Sequence, residues 1–325
     1  MRLYLVELAR LRSRRAVAVL LATAFVVGAV MLGQTLWSHR PLGDAEVARA
    51  QQQVEEQTNS RSTQRELRRC QAHPDRYLGA GSDPAECEQL VLPQVDWFLG
   101  RPMLRPVELS DELPVIIALI VSVIAVLIGA TFVGAEWAAG SVGTQLIFES
   151  RRSRVWLAKA VAVATVSAAT AVIVYVVVWT GILLAHRSWA GGSLPPGFMG
   201  SLTWTGLRVT AFAMLGGLMG YAVTVALRHT VVIIGLMFAY AVIGEALLRE
   251  FFHGIEPWLV STNAAAWIQK SYTIYIYPEG NCNSEAACRP DTIKVELLDA
   301  AVYLGVIGVV VLGASLLVFQ RRDVP

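Results

Sequence analysis

Six long apolar runs constrain this chain more than any other feature. They cover residues 16–37, 113–135, 160–185, 202–227, 231–248 and 297–319, each 18 to 26 residues long. At about 1.5 Å of rise per residue, even the shortest nearly crosses a hydrocarbon core of about 30 Å. Backbone inside lipid must satisfy its own hydrogen bonds, so these runs are expected to be helices. The fold class that follows is an all-α polytopic membrane protein with six transmembrane helices. The charges inside the runs are Arg208, Glu245 and Asp299. Composition agrees: 55 % of the 325 residues are hydrophobic and 16 % charged, against roughly 25 % charged in an ordinary globular domain. So few charges exclude a disordered chain. A net charge of +2 excludes a nucleic-acid binder held by a basic face.

Charge also orients the spans. With the N-terminus cytoplasmic, the cytoplasmic segments are 1–15, 136–159, 228–230 and 320–325. They hold 12 of the 27 basic residues in about 50 positions, against 14 in about 140 outside. That bias predicts both termini inside, in the plasma or inner membrane. The first run follows Arg10, Arg12, Arg14 and Arg15, as a signal peptide would. At 22 residues, with no A-x-A site after Trp37, it reads as a retained helix. Cys70, Cys87, Cys282 and Cys288 all fall outside, where an oxidising compartment permits disulfides. Of the three possible pairings, Cys70–Cys87 and Cys282–Cys288 close the shortest loops and are the expected ones.

Two outer segments are sizeable. In 38–112, Asp44–Arg69 is rich in Gln, Glu and Arg and predicts a solvated helix, with Val47 and Val54 as a thin apolar seam. Glycines at 79 and 81 and a series of prolines then make a loop, so that 38–112 reads either as an external cap or as a plain solvated loop. The 249–296 segment holds Phe251, Phe252, Trp258, Trp267, Tyr272, Tyr275 and Tyr277. That density suits the headgroup layer. Glu256–Lys270 reads as a short interfacial or re-entrant helix. The 186–201 loop, with Gly191 and its neighbours, is a connector.

The 136–159 segment is the most informative. Glu136-Trp137 stands at the membrane boundary, Gly140-Ser141 makes a turn, an amphipathic stretch follows, and Arg151, Arg152, Arg154 and Lys159 form a basic end suited to an inner leaflet. This loop resembles that of ABC transporter permeases of the type-2 exporter family: Glu-x-x-x-Gly-(Thr/Ser), a Leu-rich turn, Ser-Arg, then Lys. The chain supplies Glu136, Gly140, Ser141, Leu146, Ser153, Arg154 and Lys159, with Ser150 where many relatives have proline. Glu7, Arg10, Arg12, Arg14 and Arg15 before the first span look like the family's elbow helix at 1–15, and Arg321-Arg322-Asp323 like its basic ending. The Ala-, Val- and Arg-rich usage fits an actinobacterial style.

The resemblance implies a subunit that forms a pathway for an apolar or amphipathic substrate (drug, peptide or lipid) and hydrolyses nothing itself. No G-x-x-x-x-G-K-(S/T) occurs in the sequence. ATP and Mg would be held by two copies of a separate ATP-binding subunit, and a second permease subunit, the same chain or another, would complete a dimer. The carry-over makes Glu7, Arg10, Glu136, Trp137, Gly140, Ser141, Arg151, Arg152, Arg154, Lys159 and Arg228 the residues that couple to that subunit. No cofactor is implied for this chain itself, and its remaining partner is membrane lipid.

An intramembrane charge is costly and usually functional or paired. Arg208 and Glu245 lie at similar outer depth on adjacent antiparallel spans and predict an ion pair, or else separate snorkelling to the interface. Asp299 reads as interfacial. Gly216-x-x-x-Gly220 and Ala130-x-x-x-Gly134 predict close helix approach, at a subunit interface or inside the bundle. Tyr175 and Trp179 line a path or simply pack. A membrane hydrolase would need nucleophile and base together at depth, and the spans contain no His. A secondary transporter or channel would show several buried carboxylates, and here Glu245 stands alone. A membrane anchor or sensor presenting the 38–112 cap completes the alternatives.

Overall fold

The computed structural model describes residues 2–78, 83–189, 192–276 and 291–321. The predicted Cys282–Cys288 disulfide lies outside the described residues, as do Gly79, Gly81, Gly191, Tyr277, Arg322 and Asp323. Six helices are long and apolar enough to cross a membrane, so the chain is a multi-pass membrane protein. It divides into two compact units, the first made of residues 1–30, 106–181 and 193–325, the second of 31–105 and 182–192.

In the first unit, α1 (Arg2–Ser13) is followed after one residue by α2 (Arg15–Ser38), the first span. The second span, α7 (Pro106–Ala138), starts upstream of its apolar run. Proline at the first helical position loses no hydrogen bond and has its φ already set for a helix. A short α8 (Ser141–Phe148) leads to the third span, α9 (Arg152–Trp189), and α10 (Phe198–Leu227) is the fourth. The fifth is composite: α11 (Thr230–Ala239), a π-helical stretch (Tyr240–Leu247) and α12 (Leu248–Phe251). A 3-10 turn (His253–Trp258) and α13 (Val260–Gln269) then lead to strands β1 (Ser271–Ile276) and β2 (Asp291–Glu296) and the sixth span, α14 (Leu297–Arg321).

The core lies on α7, α9 and α10, whereas α2, the fifth span and α14 are largely uncovered apolar surface. α7 and α10 pack closely against each other. Its closeness requires glycine: a β-carbon at Gly220 would overlap the Val126 carbonyl, and one at Gly129 the Gly217 carbonyl. Gly216 abuts Ser122, and Gly134 abuts Thr230. Both small-residue motifs therefore serve packing inside the bundle. Tyr175 and Trp179 are also packing residues: both are buried, the Tyr175 hydroxyl donates to the Leu202 carbonyl at 2.9 Å, and Trp179 meets Phe198 edge-on. On α14, Ala300, Leu304, Gly308, Ser315 and Phe319 make one buried stripe at helical spacing.

The expectation of an all-α chain needs one correction. β1 and β2 pair antiparallel, from Ser271 opposite Glu296 to Ile276 opposite Asp291. Ile274 and Val295 face Ala266 and Ala300 in a small core. The run of β-branched and aromatic residues over Tyr272–Ile276 carries this signal, which an aromatic-belt reading hides. The predicted helix at Glu256–Lys270 is shorter than expected. The 3-10 turn holds Pro257, and α13 ends at Lys270 in the left-handed conformation (φ 76°).

In the second unit, the single helix expected at Asp44–Arg69 is two: α3 (Asp44–Thr58) and α4 (Arg61–Ala72). The break falls where the Ser60 hydroxyl accepts a hydrogen bond from the Thr63 amide at 3.2 Å, a helix cap that competes with helix continuation. Ala50 lies buried between Val47 and Val54 in the seam. After α5 (Pro74–Tyr77), α6 (Glu86–Val91) is joined to α4 by the Cys70–Cys87 disulfide. Arg101 pairs with Glu46 at 3.1 Å, and Arg105 pairs with Asp96.

Candidate functional site

The end of the first unit that carries α1 and α8 holds a buried charge cluster. Glu7 and Leu11 are one turn apart and form the inner face of α1, both fully buried. Glu136 lies near the end of α7 and Lys159 two turns into α9, 2 % and 4 % exposed. The Lys159 ammonium stands 2.6 Å from Glu7 Oε2 and 2.7 Å from Glu136 Oε2, and 5.2 Å from the centre of the Phe132 ring. Gln145 of α8 donates to Glu7 Oε1 at 2.5 Å, and the half-exposed Arg10 reaches the same oxygen at 3.3 Å. One ammonium thus joins three helices, and an amide adds a fourth. Two carboxylates and one lysine would leave a buried negative charge, and Arg10 offsets it from the surface. Glu7, Glu136 and Lys159, expected to couple to a partner subunit, are buried and engaged with one another in an internal triad.

The turn from α7 to α8 is built by Gly140 in the left-handed conformation (φ 64°), which a side chain would strain. Ser141 returns its hydroxyl to the Glu136 carbonyl at 3.3 Å. Below this turn, α8 is two-sided. Val142 is buried, whereas Ile147 and Phe148 are 80 % and 87 % exposed. Arg151 and Arg154 beside them are exposed. Arg152 donates to the carbonyls of Phe319 and Gln320 at 3.4 and 3.2 Å, closing the C-terminal end of α14 where the helix dipole favours a cation. Trp137 lies edge-on to Phe319, and the Arg228 guanidinium stacks 4.5 Å over its ring. Arg228 holds a left-handed turn (φ 61°) between α10 and α11. Trp137, Arg152 and Arg228 are thus engaged within the chain, whereas Ile147, Phe148, Arg151 and Arg154 face outward.

At the other end of the unit, the expected Arg208–Glu245 ion pair is not formed. Arg208 donates to the carbonyl oxygens of Trp204 (3.3 Å) and Trp267 (3.5 Å) and to the Thr205 hydroxyl (3.2 Å). Glu245 accepts from the Tyr240 hydroxyl (2.8 Å), the Ser261 amide (3.0 Å) and the Ser261 hydroxyl (2.5 Å), with Arg249 at 3.6 Å. The physical reason is α13, which supplies Trp267 to one group and Ser261 to the other. Tyr240 also accepts from the Val260 amide at 2.9 Å. The π-helical stretch thereby caps the start of α13, whose own flanking residue supplies no side-chain cap. Asp299 accepts from the Glu296 amide at 3.2 Å, at the start of α14.

No protein-family model matches the chain, and no curated protein and no solved structure matches it either.

Proposed function

We propose that the chain is the membrane-spanning subunit of an ATP-driven exporter of the ABC type-2 kind. It works as a dimer with a second permease subunit and is driven by two copies of a separate ATP-binding subunit that hold ATP and Mg. The α1/α8 end lies in the cytoplasm, with both termini, and residues 38–112 and 249–296 lie outside. The substrate is apolar or amphipathic, since the spans carry so few charges.

The observation that carries this reading is the buried Glu7–Lys159–Glu136 triad behind the outward face of α8. Removing one member of a buried ion pair costs about 3–5 kcal/mol, because a charge is left uncompensated. The bases of α1, α7 and α9 therefore resist separation, and Gln145 ties α8 to them. A force on Ile147 and Phe148 is passed to α1 and to the second and third spans, α7 and α9, as one block. The exposed Phe148, Ile147, Arg151 and Arg154 supply an apolar and basic surface on which a soluble subunit can push.

The test is purification in mild detergent through a tag on this chain, expressed with its neighbouring genes. The reading predicts a co-purifying P-loop ATPase whose hydrolysis falls in the Phe148→Asp variant while the membrane subunit stays folded. A chain that purifies alone and hydrolyses no nucleotide overturns it.

A further inference from the structure

A cleft of about 390 Å³ opens at the end of the first unit away from α8, bounded by α7, Arg249, α13 and the start of β1. That is large enough for a small ligand or a lipid headgroup. Its apolar wall is Val115, Ile116 and Leu119, from the first turns of the apolar run on α7. Two opposite charges complete it, Glu112 and Arg249. Glu112 has no ion-pair or hydrogen-bond partner among the described residues. Arg249 spends one nitrogen on the Ser261 hydroxyl at 2.9 Å and is 46 % exposed. The carboxylate 3.6 Å from Arg249, that of Glu245, is already hydrogen-bonded by Tyr240 and Ser261. Thr262, 3 % exposed, also lines the cleft, and its hydroxyl has no hydrogen-bond partner among the described residues.

We infer that this cleft binds a zwitterionic phospholipid with an amine headgroup. The ammonium would sit on Glu112, the phosphate on Arg249 and the Thr262 hydroxyl, and the first methylenes of the tails on Val115, Ile116 and Leu119. The arrangement fits the bilayer: the charges stand where the apolar run begins, at headgroup level, and the apolar wall continues toward the hydrocarbon. An anionic lipid without an amine would bring its phosphate to Arg249 but leave Glu112 unmatched beside added negative charge. The inference stands whether or not the chain is an exporter subunit.

The experiment is lipid retention by the full chain in detergent, read by native mass spectrometry, with phosphatidylethanolamine and phosphatidylglycerol of identical tails. Wild type should retain the ethanolamine lipid about tenfold more, the ratio that one satisfied charge contact of about 1.4 kcal/mol supplies. Glu112→Gln should bring that ratio close to one, Glu112→Lys should invert it, and Arg249→Gln should weaken retention of both lipids. Glu112 is exposed, so its variants should fold normally. Equal retention of the two lipids by wild type, or a ratio unmoved by Glu112→Lys, overturns the inference. Displacement of the lipid by an equal concentration of glycerophosphoethanolamine, which has the headgroup without tails, would assign the cleft to a water-soluble solute and also overturn it.

Discussion

The two ends of the first unit each anchor a carboxylate next to a span, by different means. At the α8 end, Glu7 and Glu136 are buried and share one ammonium, with no hydrogen bond from a backbone amide to either carboxylate among the described residues. At the α13 end, Glu245 is partly exposed and its oxygens are satisfied mainly by hydrogen bonds from Tyr240 and Ser261. The first arrangement depends on every member, because a buried charge without its partner has no recourse to water. The second degrades gracefully, because solvent can replace a lost donor. A rigid block and an adjustable joint are thus both built around glutamate, one held by an ammonium and the other by hydroxyl and amide donors, and the π-helical stretch lies in the joint. Such stretches frequently mark functional positions in helices.

The largest difference between the two ends is expected when the shared cation is removed. Lys159→Met leaves Glu7 and Glu136 buried together and should cost about 3–5 kcal/mol, read as an early unfolding transition in detergent. Adding Glu7→Gln and Glu136→Gln to Lys159→Met should recover most of that loss, because the uncompensated charges go with the cation. Next is the seam between the ends. Gly220→Val drives a side chain into the Val126 carbonyl and should cost about 1–3 kcal/mol, in the same measurement. At the joint, Glu245→Ala should cost about 1–2 kcal/mol, and hydrogen exchange should quicken at the Val260 and Ser261 amides while the α1 amides stay protected. The smallest effect on stability belongs to Phe148→Asp. It alters a side chain in contact mainly with solvent, so it should leave unfolding within about 0.5 kcal/mol of wild type. Equal losses for Lys159→Met and Glu245→Ala would erase the distinction between block and joint.

The sequence shows parts of this unevenly. The six spans are legible because run length and lack of charge are local properties, and all six appear as helices. Their ends are less legible: α7 and α9 continue through polar residues such as Glu108 and Arg187, where helical backbone needs no apolar side chains. The Cys70–Cys87 bridge is legible because short loops close most easily. Glu7, Glu136 and Lys159 stand out as residues but not as a triad, since nothing local says that positions so far apart in the chain meet. The available signal is that Glu136 and Lys159 abut apolar runs and Glu7 lies in the segment before the first run, all on one predicted side of the membrane. The Arg208–Glu245 expectation goes astray because it treats the two spans as bare neighbours, whereas α13 supplies the partners of both groups.

The proposed function places the docking of a soluble ATP-binding subunit on the α8 face. The most direct measurement is site-specific cross-linking in the purified full chain co-expressed with its neighbouring genes. Phe148→Cys, on α8, is compared with Tyr275→Cys, on the β-hairpin at the other end; both native side chains are exposed. A covalent adduct with a P-loop ATPase is expected from position 148 and none from position 275. No adduct at 148, or equal adducts at both positions, would contradict it.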